Sequence, residues 1–136
     1  MRFDTKIAIA VREDLAAWQK LNVTAFLASG IAAEAPEVIG KPYEDGDGNG
    51  YLALFGQPVV VYEASAEQLS AAHGKGLSRD LAMAVYTEEM FATGNDEDNR
   101  AVVRAIAASG LRFAGIAGFG PRAAVGKVFK GLALHP

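Results

Sequence analysis

A chain of 136 residues with 51% hydrophobic and 21% charged side chains and a net charge of −3 is one globular domain's worth of sequence, too apolar to stay disordered. It has no cysteine, which excludes disulfides, thiolate metal sites and a cysteine nucleophile and fits a cytoplasmic protein. No run approaches the roughly eighteen apolar residues that a membrane span needs, and no signal-peptide cleavage pattern follows the N-terminus.

Charge is unevenly placed along this composition. Residues 1–98 hold seven Lys/Arg and all sixteen Asp/Glu, a balance of −9, whereas residues 99–136 hold six basic residues and no acid. The basic third reads either as an anion-binding end or as a partner that packs beside the acidic segments and neutralises them.

In chain order, Lys6–Val11 is an apolar run typical of a buried strand. Asp14 is placed to N-cap a helix in which Leu15, Trp18, Asn22, Phe26 and Gly30 recur at helical spacing, with Val23, Leu27 and Ile31 widening the stripe. This predicts a helix buried over much of its circumference, Trp18 and Phe26 as core, and a stop before Pro36. Tyr43–Tyr51 encloses a glycine- and aspartate-rich stretch that reads as a hairpin tip. Asp45, Asp47, Asn49 and Gly50 match the start of an EF-hand loop, but the position needing a bidentate glutamate falls on Gly56 and the flanks are strand-like, so no metal is assigned.

Pro58–Glu63 is a β-branched strand, followed by a capping box with Ser65 as N-cap and Gln68 three residues on. Leu69, Ala72 and Leu77 are the expected buried face of that helix, Gly74 and Gly76 its loosened end, and His73 a solvated helix-end residue. Leu81–Tyr86 is the next strand. Asn95 or Asp96 then caps a helix with Val102, Val103, Ile106 and Ala107 on its apolar face, Arg100 and Arg104 one turn apart, and Gly110 at its C-cap. Residues 111–119 form a glycine-rich strand that predicts close backbone approach or a bulge, and a short helix or turn closes the chain. The expected fold is a single α/β domain over residues 1–136, with a four- or five-stranded, mainly parallel or mixed sheet flanked by helices.

Walker and dinucleotide patterns are missing, and two histidines, His73 and His135, are little material for a zinc site or serine triad; no cofactor is expected. What remains is Lys20, with Thr87, Glu88 and Glu89 just past the carboxyl end of a strand, where α/β sheets place their sites.

Lys6–Leu15 resembles the opening strand and Val-Arg-x-Asp-Leu turn of type II peptidyl-tRNA hydrolases, and Gln57–Tyr62 and Phe113–Pro121 resemble that family's later strands and Gly-x-Gly-Pro element. The chain is more similar still to a bacterial family called domain of unknown function 2000, through Trp18–Asn22, Tyr86–Phe91 and Gly120-Pro121-Arg122. The resemblance implies a peptidyl-tRNA hydrolase-like fold. It matches the catalytic lysine to Lys20 across a one-residue gap, while the hydrolases' glutamine and histidine fall on Thr24 and Leu27. Their Asp-Ala-Gly-Arg-Thr-Gln segment falls on Tyr86–Phe91, and residues from about Gly94 to Ser109 are an insertion. The expected function is a small anionic ligand-binding module without the hydrolase set, with Trp18, Asn22, Tyr86, Glu89 and Arg122 as ligand-binding residues. The alternatives are an ester or amide hydrolase using Lys20, Thr87 and Glu88, and an oligomeric interaction protein. A homodimer is expected, because 51% hydrophobic content is generous for so small a sheet. Nucleic acid and membrane are not expected as partners, the former because the chain is net acidic.

Overall fold

Strand β1 (Thr5–Arg12) runs through the middle of a five-stranded sheet, and Ile7 to Val11 are all buried. The computed structural model describes residues 2–136. The sheet order is β5 (Ala82–Thr87), β6 (Phe113–Pro121), β1, β4 (Val59–Ala64) and β7 (Ala133–Leu134), with β2 (Tyr43–Glu44) and β3 (Gly50–Tyr51) forming a separate ribbon. The sheet is mixed, as expected, but not mainly parallel: β1 pairs with β4 in parallel, and the other three pairings are antiparallel. The cause lies in the connections. Only β1 to β4 is a crossover between neighbours, whereas β6 and β7 slot in beside β1 and β4 running the opposite way.

Side chains along β1 alternate in size as well as direction. Ile7, Ile9 and Val11 face α1 (Ala17–Glu34), and Ala8 and Ala10 face α2 (Ala66–Ser78) and α4 (Arg122–Val128). α1 buries Val23, Leu27 and Ile31, each worth roughly 1.5–3 kcal/mol, against one side of the sheet. Its cap is Ala16, whose N–H donates to Gln19 Oε1. Asp14 instead accepts from Arg12 Nε at 2.6 Å, which keeps it out of the cap. The helix ends before Pro36 as expected. It is not buried all round: Trp18 and Phe26, expected in the core, are 63% and 52% exposed.

Ser65 and Gln68 form their reciprocal capping box. α2 then runs through Gly74 and Gly76 to Ser78 rather than loosening there, because Gly76 packs so tightly on Met83 that a Cβ would lie 2.3 Å from its Sδ. Leu77, expected buried, is exposed, and His73, expected in solvent, is buried against the Phe113 ring at 4.5 Å. Asn95 caps α3 (Asp96–Arg104) through Asp98 N, but α3 ends at Ala105, and Gly110 closes a separate 3₁₀ turn. The glycine-rich β6 shows both expected features: its register with β5 shifts at Tyr86/Thr87, and Gly115 lies against Val23 and the Ala10 carbonyl. No helix among the described residues is long and apolar enough to cross a membrane.

Candidate functional site

The exposed side of α1 faces α3 across a cleft of about 1010 Å³, with Ala84, Val85 and Tyr86 of edge strand β5 on its floor. Helical spacing puts Trp18, Asn22 and Phe26 on one side of α1, one turn apart. Together with Phe91 and Tyr86 they line a continuous aromatic wall: Trp18–Phe91 at 6.1 Å edge-on, Phe91–Tyr86 at 5.0 Å tilted, and Tyr86–Phe26 at 5.8 Å edge-on. Each such ring pair adds about 0.5–1.5 kcal/mol beyond its buried area. Phe91 arrives there on the 3₁₀ turn Glu88–Ala92 that leaves β5. Burial pushes the Tyr86 hydroxyl above its ordinary pKa, so it stays a neutral phenol.

The α3 side of the cleft is polar. Asp96 and Arg100 pair one turn apart, whereas Arg104 has no ion-pair partner among the described residues. The aliphatic hydroxyls of the cleft are held by neighbouring groups: Ser29 Oγ donates to the Phe26 carbonyl at 2.6 Å, and Thr93 Oγ1, with one proton, lies 2.9 Å from the Met90 carbonyl and against the Asn99 side-chain amide. Neither is aligned with a base, so the lining offers stacking, hydrogen bonding and positive charge rather than an activated nucleophile.

Of the residues singled out in the sequence, Trp18, Asn22 and Tyr86 line this cleft; Lys20, Thr87, Glu88, Glu89 and Arg122 do not. Lys20 Nζ lies 3.3 Å from His135 Nε2, beyond the cleft lining. Thr87 is wholly buried, and its Oγ1 and Glu89 Oε2 lack hydrogen-bond partners. Glu88 and Glu89 belong to an ion-pair cluster at the end of the sheet. Arg12, itself held by Asp14 and the Phe113 carbonyl, binds Glu88; Arg112 reaches Glu88 at 3.4 Å and Glu89 at 2.8 Å. The bond from Arg112 holds the Glu89 carboxyl below its usual range. Arg122 sits at the far end of β6, where its Nε donates to the Phe3 carbonyl.

Of the six basic residues among 99–136, Arg112 and Arg100 pair with acids, Arg104 is left at the cleft, and Arg122, Lys127 and Lys130 lie outside the cleft lining. Phe26, Phe91 and Arg104 were not assigned to a site from sequence. Arg100 and Arg104, one turn apart on a helix, were the signal available for the α3 wall.

No curated protein matches the chain. A solved structure of a protein of unknown function, Atu0240 from Agrobacterium tumefaciens strain C58, is 49% identical, with a TM-score of 0.97 over 99% of this chain and 100% of the other. The profile of the family described as protein of unknown function (DUF2000) matches residues 5–136. With all but a few residues covered, the chain belongs to the DUF2000 family.

Proposed function

We propose that this protein, built on a peptidyl-tRNA hydrolase-like architecture, is a binding module that takes a small anionic ligand with a flat apolar body into the α1–α3 cleft. The observation that carries this reading is a wall of four contacting aromatic rings, of which Trp18 and Phe26 are more than half exposed, facing Arg104, which has no ion-pair partner among the described residues. The rings suit a planar body, the guanidinium suits a carboxylate or phosphate in bidentate fashion, and Asn22 and the Tyr86 phenol supply orienting hydrogen bonds. The cleft's volume is at the upper end of ligand pockets, roughly 300–1,000 Å³.

A thermal-shift series with aryl carboxylates, nucleoside monophosphates and inorganic phosphate tests this. A ligand present at about 100 times its Kd stabilises by about 2.7 kcal/mol, a rise in Tm of about 9 °C for a chain this size. The rise is expected to vanish in Arg104→Ala and Trp18→Ala. No stabilisation by any of the three classes would sink the reading.

A second reading, hydrolysis of an ester or amide with Lys20 as electrostatic catalyst and Thr87 and Glu88 placing water, is favoured by the Lys20–His135 contact alone. The burial of Thr87 and the arginines on Glu88 weigh against it.

A further inference from the structure

The ribbon around β2 and β3 is a regular arm with no sheet to belong to. Its strands are tied from base to tip by Gly56 N to the Val38 carbonyl (2.6 Å), Gly40 N to the Leu54 carbonyl (2.8 Å) and the Tyr43–Tyr51 and Glu44–Gly50 pairs. The tip is held by Asp45, whose carboxylate accepts from the backbone N–H groups of Asp47 and Asn49, from Asn49 Nδ2 and from the Tyr51 hydroxyl at 2.8–3.0 Å. Gly48 supplies the positive φ the turn needs.

Outside its base, this arm carries apolar side chains into water: Leu52 is 88% exposed, and Tyr43, Tyr51 and Leu54 are all more than half exposed. A two-stranded ribbon with both faces in water is marginal at best. The four side chains present on the order of 500 Å² of surface, about what the largest patch on a typical monomer reaches.

We infer that the arm docks on a second copy of this chain, laying Tyr51 and Leu52 against the partner's Trp18–Phe26 wall so that two arms and two clefts close a symmetric dimer. Charge and apolar complementarity between arm and cleft favour a second copy. The tip carries Glu44, Asp45 and Asp47, with Lys41 the nearest base in sequence, while the cleft carries Arg104, left over once Arg100 is paired with Asp96, beside the half-exposed rings of Trp18 and Phe26. No arm residue lines its own cleft. Reciprocal exchange makes the arm-to-cleft contact twice, using each protomer's arm and cleft once, as closed two-fold assemblies do. The arm together with the exposed Trp18, Leu21 and Phe26 approaches the roughly 800 Å² per partner of a stable interface. A docked arm would cover the same Trp18–Phe26 wall and face the same Arg104 that the proposed ligand uses, so it is an alternative occupant of that cleft and not part of the ligand site; its test uses no ligand, so either can fail alone.

Sedimentation velocity across the micromolar range, read alongside the emission of Trp18, the chain's one tryptophan, tests the arrangement. The expected result is a dimer whose formation blue-shifts Trp18, with Leu52→Asp weakening it at least about tenfold, or roughly 1.4 kcal/mol, at unchanged far-UV circular dichroism. Reversing the tip with Glu44→Arg and Asp47→Arg, or the cleft with Arg104→Glu, is expected to weaken it, and combining the two to restore it; misfolding cannot produce that rescue. A monomer throughout, a dimer indifferent to Leu52→Asp, a dimer that leaves Trp18 emission unchanged, or charge reversals whose losses add would each overturn the inference.

Discussion

Gly115 shows how little room this core leaves at a single position. A Cβ there would lie 2.7 Å from Val23 Cγ1 and 3.0 Å from the Ala10 carbonyl. Val23 is fixed in the α1 stripe and Ala10 is backbone of the central strand, so neither yields easily. Gly115→Ala is expected to cost about 1–3 kcal/mol, measurable as a lowered urea midpoint. His73 sets a different constraint at the same scale. Burial against Phe113 lowers its pKa below the ordinary 6.5, so the unfolded chain binds the proton more readily than the folded one. Stability attributable to His73 is therefore full above about 6.5 and is lost as pH falls from there through the folded value. Thermal unfolding from pH 7.5 to 5.5 should show a smaller drop in Tm for His73→Phe than for the wild type; an equal drop would contradict the assignment. The polar residue type had suggested solvent, and only the approach of β6 under α2 put this ring inside.

Among the elements, α1 separates two kinds of apolar residue that look alike in one dimension. Val23, Leu27 and Ile31 meet the sheet, and Trp18, Asn22 and Phe26 lie about a quarter-turn away, facing α3 and water. Leu27→Ala is expected to lose about 2–5 kcal/mol, and Phe26→Ala much less, with its effect appearing in ligand binding instead. Chemical denaturation of the two variants side by side checks the contrast. α2 gives a case where local chemistry alone decided the outcome. Ser65 Oγ accepts from Gln68 N and Gln68 Oε1 accepts from Ser65 N, so Ser65→Ala is expected to cost about 1 kcal/mol, while Ser65→Asp, which keeps the acceptor, should cost much less.

Over the whole molecule, charge argues against a role on tRNA. The acidic segments outweigh the basic third, and two of its arginines are already spent on acids, which leaves little to release counterions from a phosphate backbone. Purified protein incubated with aminoacyl-blocked tRNA is expected to show no appreciable release. Losing a single oxyanion donor commonly costs 10²–10³-fold, and here Lys20, Thr87 and Glu88 stand apart from the cleft. Turnover abolished by Lys20→Ala would establish the hydrolase reading instead.

Sequence by itself determined β1, β4, β5 and β6, the capping box at Ser65, the break before Pro36, the bulge in the glycine-rich strand and family membership, because these depend on local propensity, short-range hydrogen bonds or motifs read in order; β7, whose residues read as part of a closing helix or turn, exists only because β4 offers it an edge to pair with. Tertiary structure decided what depends on which surfaces meet. It set the antiparallel majority of the sheet, the burial of His73 and the exposure of Leu77, and above all the cleft. Trp18 and Phe26 have the spacing of core residues, yet the Val23–Leu27–Ile31 stripe is the one that packs into the core, and Trp18 and Phe26 stay more than half exposed. The neighbouring stripe was left open, and α3, inserted between β5 and β6, stands opposite it to make a cavity. Periodicity reports that a helix has an apolar side; how much of that side is covered is set by what packs against it.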